Sequence, residues 1–313
     1  MENEKKALIL GGGGFVGSHL AERLLRKGFR VSIFDRPNLR RPSNLVKFPQ
    51  LRWYEGDFVN HESLAEAIEE DQIVFHLVST TLPKSSNENP VFDVESNLVG
   101  TLRLLDLMRD KGAQKIVFVS SGGTVYGVPK QVPIPESAPT EPLCSYGIAK
   151  LAIEKYLHLY GVLHGLKHVA IRLANPYGER QRPALAQGAV AVFLDRVMNG
   201  RAIEIWGDGS VVRDYIYAGD AADAIISASL YDGVGSVFNV GSGRGYSLNQ
   251  IIEAIFEITN RKVEVLYSSG RPFDVPVSVL DISMARSELD WEPKTKLSEG
   301  VDLAWRWMLE SRA

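Results

Sequence analysis

The chain has few of the features that mark specialised protein classes. Cys144 is its one cysteine, which excludes an internal disulfide and a site built from several thiolates. Its 35 basic and 38 acidic residues nearly cancel, and no Lys/Arg run marks a nucleic-acid or anionic-membrane surface. Long hydrophobic runs are also missing, since residues 1–6 are charged and the first apolar run stops at glycines. We therefore expect a cytoplasmic protein with no nucleic-acid or membrane partner.

The most informative segment is a glycine-rich turn after the first predicted strand. Gly11, Gly14 and Gly17 follow the apolar residues 7–10 and open a predicted helix. Glycine permits a tight strand-to-helix turn and lets backbone N–H groups approach a pyrophosphate at the helix N-terminus. Asp35 ends the second predicted strand, where a carboxylate binds a ribose hydroxyl in dinucleotide sites. The pattern predicts a dinucleotide cofactor.

The residue at the end of the second strand also bears on which dinucleotide binds. Asp35 favours NAD over NADP, because a carboxylate accepts hydrogen bonds from a free ribose 2′-hydroxyl and repels a 2′-phosphate. Arg36 points the other way, since a guanidinium beside the acid can pair with a phosphate. A solvated loop arginine is the simpler interpretation of Arg36. We expect NAD as the cofactor.

The order of apolar segments predicts the fold class. Apolar strands alternate with helical patterns through the first half, and this alternation predicts a parallel sheet covered on both faces. We expect an α/β protein with a Rossmann-type doubly wound parallel sheet and a smaller C-terminal α/β substrate-binding domain. Residues 1–178 are predicted to form the NAD-binding domain, with returning segments near 210–235. Residues 179–313 are predicted to form mainly a substrate-binding lid.

One pair of side chains stands out as a candidate for acid–base chemistry. Tyr146 and Lys150 lie one turn apart at the start of a predicted helix, on one helix face. We expect the lysine ammonium to lower the tyrosine pKa from its usual value of about 10. Tyr126 and Lys130 share the spacing, but Gly127 and a proline between them exclude a regular helix. The context therefore selects Tyr146 as the proton-exchanging group.

Hydroxyl groups near this pair are candidates for binding the same substrate hydroxyl. Ser121 and Thr124 follow the strand predicted at 116–119, although either one can simply cap a turn. Ser145 is predicted to cap the helix that carries Tyr146. Cys144 has no histidine visibly paired with it, which disfavours a thiol nucleophile.

No metal site is predicted. His164 and His168 have the spacing of ligands on one helix face, but a glycine follows the first and no zincin glutamate lies between them.

Together these motifs resemble those of the extended short-chain dehydrogenases/reductases. The segments that carry the resemblance are 120–127, 145–150, 172–176, 212–216 and 271–276, so the match covers nearly the whole chain. Within that superfamily the chain is similar to the NAD-dependent epimerase/dehydratase family, nearest to the UDP-glucose 4-epimerase group. The resemblance implies a 4-epimerase of a nucleotide-activated sugar and suggests a homodimer built from the helices near 91–111 and 145–163.

The resemblance also implies a set of functional residues. It makes Tyr146 and Lys150 catalytic. The residues implied to contact NAD are Gly11, Gly14, Phe15, Val16, Gly17, Asp35, Asp57, Phe58, Leu77, Ser79 and Asn97. Those implied to contact the nucleotide sugar are Asn175, Arg213 and Arg271, with Thr124, Asp274 and Ser278 as further candidates. Arginines suit a diphosphate, although ion pairing of Arg213 with Asp214, or of Arg271 with Asp274, is the alternative.

The chain departs from the epimerase pattern at one position. Gly122 stands where the resemblance puts a catalytic serine, so Thr124 or Ser121 would supply the hydroxyl, or none would. Ser278 is small at a position that limits room beside the sugar, which favours an N-acetylated or other bulky sugar. Related dehydratases carry Asp-Glu where this chain has Gly123-Thr124, which disfavours dehydration. A decarboxylase, a 4-ketoreductase and a non-catalytic nucleotide sensor remain as alternatives.

Overall fold

The computed structural model describes residues 5–183, 188–233, 236–270 and 275–311. In these ranges the strands are β1 (Lys6–Leu10), β2 (Arg30–Asp35), β3 (Arg52–Glu55), β4 (Gln72–His76), β5 (Lys115–Ser121), β6 (Lys167–Leu173), β7 (Asn175–Tyr177), β8 (Ile203–Trp206), β9 (Val212–Tyr217), β10 (Ser236–Val240), β11 (Gly245–Ser247), β12 (Val265–Ser268) and β13 (Val277–Ser278).

The α-helices lie between and after these strands. They are α1 (Phe15–Arg26), α2 (Ser43–Val46), α3 (His61–Ala67), α4 (Pro83–Glu88), α5 (Pro90–Asp93), α6 (Gly100–Lys111), α7 (Ser145–His164), α8 (Ala189–Met198), α9 (Ala218–Leu230), α10 (Leu248–Thr259), α11 (Ser283–Leu289) and α12 (Leu297–Glu310). A π-helical segment, Val94–Val99, joins α5 to α6.

A parallel sheet of seven strands forms the centre of the described fold. Its strand order is β3-β2-β1-β4-β5-β6-β10, and every neighbouring pair runs parallel. Residues 7–10 of β1 are fully buried, as expected for a strand covered on both faces. Helices α1 and α9 pack on one face, and α6 and α7 cover the other. The predicted Rossmann-type doubly wound sheet is confirmed.

The C-terminal part adds a smaller α/β assembly beside the carboxyl ends of the large sheet. Strand β9 pairs with β7, β11 and β13, and β8 pairs with β12. Its core includes buried side chains from α8, α10 and α12, such as Phe193, Ile251 and Trp305. Helix α9 and strand β10 belong to the large sheet's layers, so the chain returns to that sheet after β9. The division into two domains at residue 178 stays a prediction.

The helix predicted at 91–111 differs from the structure in its regularity. Residues 94–99 adopt π-helical geometry, which adds residues per turn and shifts the faces of the helix. Two hydroxyls bond back to carbonyls there: Ser96 Oγ to Phe92 O at 2.6 Å, and Thr101 Oγ1 to Asn97 O at 2.6 Å. Hydroxyls bonded back to a carbonyl one turn earlier are known to bend helices.

Among the described residues, none of the helices combines the length and apolar character needed to cross a bilayer.

Candidate active site

The glycine turn between β1 and α1 has the crowding that a dinucleotide site requires. Gly11 has a φ of +83°, a conformation that side chains disfavour. A Cβ at Gly17 would lie 2.2 Å from Gly11 O, so only glycine allows the helix to approach the turn this closely. Gly14 occupies the N-cap of α1 without a side chain, which leaves the helix N-terminus open to an anion.

Asp35, at the end of β2, lies next to this glycine turn at the position expected for a ribose-binding carboxylate. Its Oδ2 accepts a hydrogen bond from Gly13 N at 2.9 Å, and its Oδ1 accepts one from Arg36 N at 2.9 Å. Burial raises the pKa of the Asp35 carboxyl above its ordinary value. A cavity of about 660 Å³ adjoins this carboxylate, and its lining includes Gly13, Gly14, Phe15, Ser18, Asp35, Arg36, Arg40, Arg41 and Arg182. The crowded glycine turn, open helix end and carboxylate fit the diphosphate and ribose of NAD.

The remaining residues implied to bind NAD lie at the ends of neighbouring strands. Leu77 follows β4, and its N–H donates to Leu10 O at 3.0 Å, which places it beside the glycine turn. Val16 lies in the first turn of α1 and is half-buried. Asp57 is exposed after β3, whereas Phe58 is buried with its ring centroid 5.0 Å from that of His76. All four are thus found near the same edge of the sheet.

Asn97 and Ser79 are occupied by contacts within the chain. The Asn97 amide oxygen accepts from Thr80 N at 3.0 Å, and its Nδ2 donates to Thr81 Oγ1 at 3.2 Å and to Asp93 Oδ1 at 3.0 Å. Ser79 Oγ donates to Thr81 O at 3.0 Å. Both side chains therefore shape the loop after β4. A direct contact of either with NAD stays a prediction.

Tyr146 and Lys150 lie in the first turns of α7, beside the end of β5. Lys150 is buried, and its Nζ donates to Val119 O at 2.9 Å and lies 5.6 Å from the Tyr146 ring centroid. Tyr146 is partly exposed, and the Ser121 side chain acts on its phenol through hydrogen bonding. The structure thus brings the predicted tyrosine, lysine and serine together.

The electrostatic expectation for this pair is wrong for the chain by itself. Although the residue as a whole is partly exposed, protein packed around the phenol desolvates it and raises the pKa of Tyr146 to about 12, and hydrogen bonding with Ser121 offsets only part of this effect. Burial also lowers the pKa of Lys150 to about 8. The lysine ammonium donates its hydrogen bond to the Val119 carbonyl, and desolvation is the largest influence on the pKa of both groups.

The structure explains why glycine stands at residue 122. A Cβ there would lie 2.5 Å from Leu280 Cδ1 and 3.0 Å from Arg172 O, so a serine does not fit without movement. Thr124 Oγ1 is buried and has no hydrogen-bond partner within the described part of the chain. Thr124 therefore offers a free hydroxyl beside the helix that carries Tyr146, whose Gly147 packs against the Thr124 backbone.

Three of the residues implied to contact the sugar nucleotide lie on one small sheet. Asn175 in β7 donates to Asp214 O at 2.9 Å, and Arg213 in β9 donates to Val275 O at 2.6 Å. Ser278 in β13 lies opposite Arg213 in the strand register and is buried. Arg271 and Asp274 lie outside the described residues.

The alternative of an Arg213–Asp214 ion pair is disfavoured by the bonds of the aspartate. The Asp214 carboxylate is buried and accepts hydrogen bonds from Ser242 N and Oγ at 2.7 Å, from Gly243 N at 3.2 Å and from Leu280 N at 3.3 Å. No Arg213–Asp214 bridge occurs among the ion pairs of the described residues.

The structure gives no metal-binding or nucleophilic role to the weaker candidates among the described residues. His164 ends α7, whereas His168 is buried in β6 and bonds Leu166 O at 3.2 Å, so the two do not share a helix face. The described residues contain no cluster of three side chains suited to a metal ion. Burial raises the pKa of the Cys144 thiol, which keeps it protonated at neutral pH.

The sequence patterns missed two buried acids next to the site. Asp93 is fully buried between the loop after β4 and the start of α7. Glu154 forms a buried ion pair with Arg172 at 2.7 Å and accepts from Ser120 Oγ at 2.5 Å. The available signal for Glu154 was an acid one turn after Lys150, on a helix face that otherwise carries small and apolar residues.

The chain resembles known proteins over almost its whole length. A UDP-glucose 4-epimerase of Mycolicibacterium smegmatis is 36% identical over 95% of this chain and 96% of the relative. A dTDP-4-dehydro-6-deoxyglucose reductase of Escherichia coli is 32% identical over 94% and 95%.

Solved structures agree in fold. A UDP-glucose 4-epimerase of Thermotoga maritima with UDP-glucose gives a TM-score of 0.92 at 35% identity, covering 98% of this chain and all of that one. A UDP-glucose 4-epimerase of Thermus thermophilus in complex with NAD gives 0.88 at 34% identity, covering 97% and 99%. The model of the NAD-dependent epimerase/dehydratase family matches residues 7–241. With the glycine turn and Asp35 in place to hold NAD as its cofactor, this chain belongs to the NAD-dependent epimerase/dehydratase family.

Proposed function

We propose that the protein is a 4-epimerase of a nucleotide-activated sugar, with a UDP-hexose or UDP-N-acetylhexosamine as substrate. The observation that carries the proposal is the cluster of Tyr146, Lys150 and Ser121 at the end of β5. The glycine turn after β1 lies on the same edge of the parallel sheet, two strands away. The similarity to UDP-glucose 4-epimerases supports the same reaction class.

Each residue of the cluster has a distinct task in this proposal. Tyr146 exchanges a proton with the C4 hydroxyl of the sugar, and the Ser121 or Thr124 hydroxyl orients that group. NAD, when bound, accepts the C4 hydride reversibly, and its oxidised ring adds a positive charge to the site. Lys150 holds positive charge near the phenol while anchored to Val119 O. Loss and return of the hydride on opposite faces of a 4-keto sugar inverts C4.

A turnover of this kind requires a firmly held diphosphate and a loosely held sugar. Arg213 lies on β9 with its guanidinium directed by the Val212 and Val275 carbonyls, and arginine pairs well with a diphosphate. Ser278 is its neighbour across the strands. We propose that the small side chain of Ser278 admits a bulky substituent on the sugar. We propose Asn175 and Arg271 as further contacts of the nucleotide.

Product analysis tests the reaction. The purified protein is assayed for bound NAD and incubated with UDP-hexoses, UDP-N-acetylhexosamines and dTDP-deoxysugars without added cofactor. We expect C4 epimers of at least one UDP sugar, and a kcat reduced by roughly 10²- to 10⁴-fold in Tyr146→Phe with NAD content unchanged. Tyr126→Phe is the matched control, because Tyr126 bonds Asn239 within the protein. Full activity in Tyr146→Phe contradicts the proposal.

A 4-ketoreductase is the second candidate, favoured by the similarity to a reductase of that type. It uses the same tyrosine and lysine but needs external reduced cofactor. Turnover that depends on added NADH or NADPH and stops after one equivalent without it identifies a reductase. A dehydratase or decarboxylase is recognised in the same assay by loss of water or carbon dioxide.

We also propose that the protein is a homodimer. Apolar side chains are exposed along α5 and α7, and Val91, Phe92, Ile148, Val162 and Leu163 are each at least 49% exposed. The two helices contact each other, and apolar side chains exposed together on neighbouring elements are typical of protein interfaces. Sedimentation equilibrium is expected to give the dimer mass, and Val162→Glu to give the monomer. Residence in the cytoplasm stays a prediction of the sequence.

A further inference from the structure

Asp93 is a buried carboxylate that the proposed reaction does not use. It ends α5 and has no exposed surface. Its Oδ1 accepts hydrogen bonds from Thr81 Oγ1 and from Asn97 Nδ2, and its Oδ2 accepts one from Ser145 Oγ at 2.7 Å. Asp93 therefore joins the loop after β4 to the first residue of α7. Burying a carboxylate without a partner cation is costly, and these donors offset that cost.

The N-terminus of α7 is capped by another part of the chain. Ser145 was expected to cap this helix, but it is the first helical residue, and Cys144 at the N-cap makes no side-chain cap bond. Instead Ser145 N donates to Asn87 Oδ1 at 2.9 Å, and Tyr146 N donates to Ser86 Oγ at 3.0 Å. Together with the Asp93 bond, three hydrogen bonds fix residues 145 and 146 to the segment 86–93.

The charge of Asp93 also acts on the two reactive side chains. It raises the pKa of Tyr146 by repelling the phenolate and raises the pKa of Lys150 by attracting the ammonium. The other ionisable groups facing the pair are Cys144 at the N-cap of α7, Glu154 of α7 and His76 of β4. The charged residues of α4, Lys84 and Glu88, are exposed.

We propose that Asp93 is a positioning residue that anchors the first turn of α7 to the loop after β4 and so fixes the place of Tyr146 and Lys150. The inference rests on the proposed role of Tyr146 and Lys150. The Asp93 carboxylate acts in two ways. Its Oδ2 accepts the hydrogen bond from Ser145, and its negative charge lies near the residues that follow Ser145 in α7. A carboxylate there stabilises an ammonium, which an amide of the same shape does not.

Asp93→Asn separates the charge from the shape. The amide oxygen can still accept from Thr81 and Asn97, and its NH₂ can donate to the Ser145 hydroxyl. The probe is the ¹³Cε signal of Lys150 in lysine-labelled protein, assigned with Lys150→Met and titrated from pH 6 to 10. In wild type the midpoint is expected at about 8. In Asp93→Asn it is expected to fall by about half a pH unit or more. The matched control is Glu95→Gln, an exposed acid in the next helical residues, which leaves it unchanged.

Ser145→Ala tests the anchoring without changing charge. We expect kcat for the sugar that wild type converts to fall roughly tenfold, with KM and the Lys150 midpoint unchanged. The pH profile of kcat should move to lower pH in Asp93→Asn only. An unchanged Lys150 midpoint in folded Asp93→Asn overturns the electrostatic role, and full kcat in both Ser145→Ala and Ser86→Ala overturns the anchoring role.

These outcomes are separable from failure of the proposed function. The lysine titration needs no sugar and no turnover, so it decides on the charge of Asp93 even for a protein that converts none of the sugars. If Asp93→Asn does not fold, a full kcat in the two serine variants still refutes the anchoring, and a loss in both supports it.

Discussion

Gly122 offers a sharp test of the packing beside the active site. Gly122→Ser restores the residue that the family resemblance places there, but its Cβ would lie 2.5 Å from Leu280 Cδ1 and 3.0 Å from Arg172 O. Leu280 is 1% exposed, and the Arg172 carbonyl belongs to the backbone of β6, so neither yields easily. Overpacking of this kind costs about 1–3 kcal/mol. We expect that loss in the free energy of unfolding, and no gain in kcat.

Urea unfolding followed by circular dichroism measures the loss. Gly123→Ser is the control, because a Cβ at Gly123 meets no atom within 4 Å, and its effect should stay within about 0.5 kcal/mol. A double-mutant cycle with Leu280→Ala measures the contact between residues 122 and 280. The loss of unfolding free energy in the combined variant should be smaller than the sum of the two single losses by about 0.5–3 kcal/mol. A Gly122→Ser protein as stable as wild type, or additive effects with Leu280→Ala, would refute the steric explanation.

Three further predictions concern the cofactor turn and one buried lysine. Asp35→Ala removes the acceptor of the Gly13 N–H and the ribose partner, so the Kd for NAD in calorimetry should rise roughly tenfold or more, and an unchanged Kd argues against the ribose contact. Gly17→Ala places a Cβ 2.2 Å from Gly11 O, so bound NAD after purification should be largely lost; normal content would contradict the close approach. Burial lowers the pKa of Lys115 to about 8, so between pH 8 and 10 the unfolded chain binds more protons and stability rises with pH through this group. Lys115→Met should flatten that rise in urea titrations at several pH values, and an equal slope in both proteins would exclude the effect.

Local patterns predicted the parts of the fold that depend on neighbouring residues. The β1–α1 turn and Asp35 are visible because glycine spacing, strand length and the position of the acid lie within one βαβ unit. Helix α7 was expected to follow a cap at Ser145 and to end near residue 163, and it is observed from Ser145 to His164 with Cys144 at the N-cap. Long periodic segments of this kind carry their own signal.

The features that the sequence could not give depend on contacts between distant segments. The caps of α7 come from Ser86 and Asn87, about sixty residues earlier in the chain. The crowding at Gly122 depends on Leu280, and the pKa of Tyr146 is set by burial that arises only when α7 packs on β5. The spacing of Tyr146 and Lys150 identified the pair, but it did not predict the burial and neighbouring charges that set the two pKa values.

The return of α9 and β10 to the large sheet limits how the chain can be divided. Strand β10 pairs with β6 along Ser236–Val240, and α9 packs against α1 on one face of the large sheet. A fragment that stops before these segments would present an unpaired β6 edge and an uncovered apolar flank to water. Expression of the first 178 residues alone should therefore give aggregates, whereas a linker inserted at the exposed turn of Gly200, which interrupts none of the described helices or strands, should give folded protein.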